Sequence, residues 1–137
     1  MIRDTLKDQI ERIGKNLKKV ITKFLEIELL EDRALQITKT NQELKNELDI
    51  DLDLLSSYSV SDILDYIKER KLTAKHLELL VDYTSLIASI YLEQNNREIA
   101  KIWFQKSIDL LTVADIVSES LSMERMQRKE KLQKFIA

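Results

Sequence analysis

No proline interrupts these 137 residues, and glycine occurs once, at Gly14. The two residues that break helices most strongly are therefore almost absent, and Leu, Ile, Glu, Lys and Gln are all good or acceptable helix residues. No run of β-branched and aromatic residues alternates between turn dipeptides, so strand signals are missing. The chain is predicted to be all-α, an antiparallel bundle of about six helices forming one domain over residues 1–137. A chain this long buries roughly two-thirds of its unfolded surface and needs no disulfide to hold it; it has no cysteine.

Apolar periodicity places the helices. Ile2, Leu6, Ile10, Ile13, Leu17, Val20, Phe24 and Ile27 recur every three or four residues, which predicts a first helix over about residues 2–30 with one apolar stripe. Gly14 lies near the edge of that stripe and is read as a tolerated surface position. A second helix is expected over 31–48, with a sparser face of Ala34, Leu35, Ile37, Leu44 and Leu48. A connector follows, its Ile50, Leu52 and Leu55 plugged into the core.

Three later starts carry a hydroxyl residue able to accept from a first-turn amide, flanked by apolar residues able to close a hydrophobic staple. The triplets are Tyr58, Ser59, Ile63; Leu72, Thr73, Leu77; and Leu121, Ser122, Met126. They predict helices over 60–70, 74–92 and 123–136, with another over 96–117. The helix from Ala74 is apolar on two faces and is expected to be central. The next repeats the pattern, with Ala100, Phe104, Ile108 and Leu111 on one face and Ile99, Ile102, Trp103 and Leu110 on the other.

Around the polar turn Glu93-Gln94-Asn95-Asn96, small and large residues fall at fixed offsets. Ile87, Ala88 and Tyr91 precede the turn, and Ala100, Phe104 and Ser107 follow it. Over about residues 81–114 this spacing resembles one tetratricopeptide unit, which implies a close-packed helix hairpin used as a scaffold for protein partners. Thr84 stands where that family usually has Trp, and Asn95 stands where it has Gly. Beyond the hairpin, the chain resembles small bacterial helical proteins with partial repeat character, which implies no particular reaction.

Site chemistry is scarce. His76 is the single histidine and there is no cysteine, so neither a catalytic triad nor a conventional zinc site can be assembled. His76 is expected at the surface. Asp49, Asp51 and Asp53 alternate like the start of a calcium loop, but Leu54 replaces the turn glycine and Val60 replaces the closing glutamate. One glycine excludes phosphate-cradling loops. No cofactor, metal or small-molecule substrate is expected, and the chain is read as not an enzyme. No apolar segment suits a signal peptide or membrane span, which points to the cytoplasm.

Charge is the remaining clue. Net charge is −2, yet residues 3–23 carry seven basic and three acidic groups, and residues 26–53 carry three basic and nine acidic. On the first helix Arg12, Lys15, Lys18, Lys19 and Lys23 lie opposite the apolar stripe. That face suits nucleic acid or an anionic membrane. Pairing with the acidic middle, together with the net negative charge and the lack of interleaved aromatics, argues against either. The expected function is therefore a non-catalytic helical interaction or scaffold domain with an unknown protein partner; the alternative is a polyanion binder. Candidate partner-binding residues are Arg12, Lys15, Lys19, Lys23 and Trp103, the last also reading as core. A homodimer covering the long first stripe is a further expectation, with the terminal helix, through Met123, Met126, Leu132, Phe135 and Ile136, as the competing cover.

Overall fold

A computed structural model describes residues 2–26 and 33–136. All regular structure among them is helical: α1 (Ile2–Glu26), α2 (Arg33–Leu48), α3 (Leu52–Leu55), α4 (Val60–Glu69), α5 (Ala74–Glu93), α6 (Arg97–Ser118) and α7 (Met123–Gln133). The chain is an all-α protein. The element beyond the six expected helices is α3, a single turn formed where a connector was anticipated. Residues 27–32, where the first helix was expected to end and the second to begin, lie outside the described residues. Contacts divide the chain into two compact units, Met1–Leu54 and Leu55–Ala137.

In the first unit α1 packs against α2. Leu17, Val20, Ile21 and Phe24 are buried, and they lie within one arc at 100° per residue. On α2 the buried set is Ile37, Thr40, Asn41 and Leu44, spaced i, i+3, i+4 and i+7. This corrects the expected α2 face: Leu35 points about 160° away from Ile37 and is exposed. Two polar residues complete the stripe because helical geometry, not hydrophobicity alone, decides which positions face inward. Ile50, Leu52 and Leu55 are fully buried.

The second unit is organised by α6, which packs against α4, α5 and α7. Centrality thus belongs to α6 rather than α5. Every expected hydroxyl cap forms. Ser59 accepts from Asp62 N while Asp62 Oδ2 accepts from Ser59 N, closing a capping box at α4. Ser122 accepts from Arg125 N at α7, and Asn96 does the same for Ile99 N at α6. Thr73 accepts from His76 N at 3.3 Å, and His76 Nδ1 accepts from Thr73 N at 3.0 Å.

Four helix ends reverse through a left-handed residue that is not glycine: Asp49, Lys71, Asn95 and Glu119. After the last three, the next amide bonds back five residues: Leu72 N to Ile67 O, Asn96 N to Tyr91 O, and Ser120 N to Asp115 O. These are Schellman closures, which satisfy carbonyls left over at the helix end. Asn95 tolerates the conformation through its short polar side chain; Lys71 and Glu119 occupy it at a cost of roughly 1 kcal/mol or more each.

The α5–α6 hairpin packs closely around small residues. Ala88, Ala100, Ser107 and Thr84 are all buried, and the Thr84 and Ser107 hydroxyls meet across the crossing at 2.7 Å. Ser107 Oγ also approaches Trp103 O at 2.9 Å, so the paired hydroxyls have acceptors. Ala100→Leu is expected to destabilise by roughly 1–3 kcal/mol through overpacking. Thermal melts check it: an unchanged midpoint would contradict the close crossing.

Candidate functional site

Within residues 12–23 there are five cations and no anion. Arg12, Lys15, Lys18, Lys19 and Lys23 are all exposed. Viewed down α1, they occupy an arc of about 140° opposite the buried Leu17, Val20, Ile21 and Phe24. Lys23 reaches Glu43 of α2 at 3.7 Å, with its own side chain largely in solvent. Arg12, Lys15, Lys18 and Lys19 make no ion pair among the described residues. Among the described residues, Glu43 is the one acid of the middle segment that reaches this face.

Trp103 is elsewhere. It is buried in α6, 7% exposed, where the ring contributes core area and is unavailable as a surface anchor. The candidates thus separate into an exposed cationic face on α1 and a core residue of α6. His76 is also corrected: it is 3% exposed, since its ring accepts from the Thr73 amide and so folds back over the start of α5. Asp51 is likewise occupied, its Oδ1 accepting from Leu54 N at 3.1 Å and its Oδ2 facing Lys45 at 3.8 Å. Among the described residues no group of three His, Cys, Asp or Glu side chains is placed to hold a metal ion.

A different constellation lies at the α6–α7 corner. Arg125 is buried and spreads its guanidinium over four acceptors. Its Nε donates to Asp115 Oδ1 at 2.6 Å and its Nη1 to Glu78 Oε1 at 3.2 Å, while its Nη2 reaches Ser118 Oγ and Ser120 O. Lys129 Nζ donates to Asp115 Oδ2 at 2.9 Å, and Arg128 meets Asp82 at 2.7 Å. The forked geometry suits arginine rather than lysine, because several donors are fixed in one plane. Residues of α7 are thereby tied to α5, to α6 and to the intervening turn.

Burial alone would raise the Asp115 carboxyl, but hydrogen bonds and charge from Arg125 and Lys129 outweigh it and hold the group below its ordinary value of 3.8. The same bond to Asp115 holds the Arg125 guanidinium up against burial. The folded chain therefore binds this proton less readily than the unfolded chain. Stability from Asp115 is present above the ordinary carboxylate range and is lost as pH falls through the folded value. Urea midpoints measured downward from about pH 6 should fall on the acid side, and Asp115→Asn should flatten that fall. Parallel profiles for the two proteins would contradict the assignment.

At this anchored corner four large apolar side chains stand in solvent among polar ones. Leu121 is 80% exposed and Met123 69%, with Ile116 and Met126 also exposed. One expectation changes here. The third staple leaves Leu121 in solvent. Of the other apolar residues near the C-terminus, Met123, Met126 and Phe135 are exposed while Leu132 is buried. Sequence periodicity missed Leu121 because it lies in the turn, where helical phase does not determine facing, whereas Ile116, Met123 and Met126 lie within helices. Glu119 and Glu124, both exposed, border it.

The described helices include none long and apolar enough to cross a membrane. No family model matches the chain, and no curated protein or solved structure matches it.

Proposed function

We propose that the protein is a non-catalytic helical interaction module of the cytoplasm, with a tetratricopeptide-like α5–α6 hairpin as its scaffold and the α6–α7 corner as its docking surface. The observation carrying this reading is the exposure of Ile116, Leu121, Met123 and Met126 on a corner fixed by a buried arginine. Large apolar side chains gathered in solvent cost hydration free energy unless something covers them, and methionine adapts readily to a partner's shape. The fitting partner is another polypeptide with an apolar anchor beside basic residues, which would meet Glu119 and Glu124 at the rim.

Leu121→Ser and Met123→Gln test the reading. Both positions are exposed, so the thermal midpoint should hold within about 0.5 kcal/mol of stability. The apparent mass of the protein in native cell extract should fall to that of the isolated chain. A melt lowered as by a core substitution, or an unaltered complex mass, would overturn the proposal. Light scattering of the purified protein across a dilution series separates a second copy of the chain from a different partner.

A further inference from the structure

We propose that the lysine face of α1 binds the phosphate backbone of a nucleic-acid duplex without reading its sequence. This goes beyond the docking corner and does not depend on it. Four cations, Arg12, Lys15, Lys18 and Lys19, stand exposed and without ion pairs among the described residues, and Lys23 adds a fifth charge shared with Glu43. They span about 16 Å along the helix axis, a length over which a duplex presents roughly one phosphate charge per 1.7 Å. Thr22, exposed between Lys15 and Lys18 on the same arc, offers a hydroxyl donor for a phosphate oxygen. Lys15, Lys18, Lys19, Thr22 and Lys23 lie side by side on one open stretch of the helix surface.

The net negative charge of the chain does not oppose this, because Asp8 and Glu11 lie only at the N-terminal edge of the face and residues 12–23 contain no acid. The lack of interleaved aromatics argues against single strands, which are held by stacking, and leaves duplex backbone as the fit. A membrane fits less well. Amphipathic helices enter a bilayer through their apolar side, and on α1 Leu17, Val20, Ile21 and Phe24 are already buried. Lysine supplies point charges without the planar fork used to read guanine, so contacts of this kind position a duplex rather than select a sequence.

The test is fluorescence anisotropy of a labelled random-sequence duplex titrated with the full chain over a salt series. Four released counterions predict a slope of about −3.6 in log affinity against log salt, a loss on the order of 100-fold between about 50 and 200 mM. The variant carrying Lys15→Gln, Lys18→Gln and Lys19→Gln should reduce the slope by about 2.7. Its circular dichroism should match the parent, since all three side chains are exposed. Lys131→Gln with Lys134→Gln, at the C-terminal end of α7, should leave the slope unchanged. The proposal is overturned by absence of duplex binding at about 50 mM salt, or by equal slopes for the parent and the α1 variant. Stronger retention on vesicles of about 30% phosphatidylserine than on duplex at the same salt also overturns it, assigning the face to a membrane.

Discussion

Arg125→Met should lower the free energy of unfolding by about 3 kcal/mol or more, among the largest losses available to a single polar substitution in this protein. The Asp115 side chain is only 13% exposed. Removing the guanidinium leaves it with Lys129 as its remaining ion partner, and also strips donors from Glu78, Ser118 Oγ and Ser120 O. Loss of the closest donor to a nearly buried carboxylate, which Lys129 compensates only in part, sets the size of the effect. Arg125→Lys should recover only part of it, because one ammonium cannot reach all four acceptors. Adding Asp115→Leu to Arg125→Met should restore much of the loss, since apolar replacement of both partners removes the desolvation cost. Urea unfolding of the three variants decides this, and an Arg125→Met loss below about 1 kcal/mol would contradict it.

Phe104→Ala is expected to cost roughly 3–5 kcal/mol. Phe104 is buried in α6, and its ring stacks on Phe135 with centroids 4.5 Å apart and planes 8° from parallel. The substitution removes a large core side chain and also releases the contact that holds the residues after α7 to α6. Amide exchange should therefore quicken around Phe135 as well as within α6. Phe135→Ala should cost much less, because that ring is half in solvent. Comparable losses at the two positions would show that the stack, rather than core burial, dominates.

Helical class and the later helix starts were legible because both follow from local chemistry. Ser59, Thr73, Asn96 and Ser122 each sit where a short side chain can reach a first-turn amide, and each does so. The α2 face was misread because residue type was weighed above phase, which placed Leu35 inward and left Asn41 out of the face, whereas Leu35 is exposed and Asn41 buried. Buried charges left no local signal. Arg125 lies in a strongly basic segment that reads as a solvated face, and its acidic partners are 10 and 47 residues away in sequence. Lys106 differs in part: its ion partner Asp109 is three residues on, but its ammonium also donates to the carbonyl of Tyr58, 48 residues earlier. The left-handed turns at Lys71 and Glu119 were hidden because glycine, the residue that advertises such turns, is not there.

The cationic face of α1 was visible in the sequence, but its pairing state was not. Acidic residues at 26–53 suggested neutralisation, and only the placement of Glu43 against Lys23 realises it among the described residues. Trp103 illustrates the converse, since an aromatic within a helical apolar pattern is equally consistent with anchor and core until burial is known.

Photo-crosslinking in cells tests the docking corner most directly. A photoreactive residue placed at Met123 should give a discrete adduct with another polypeptide, and adding Leu121→Ser should abolish it. The same residue at Ile102, an apolar side chain of α6 that is 51% exposed, should not give that adduct. Absence of an adduct from Met123, or the same adducts from both positions, would contradict the account.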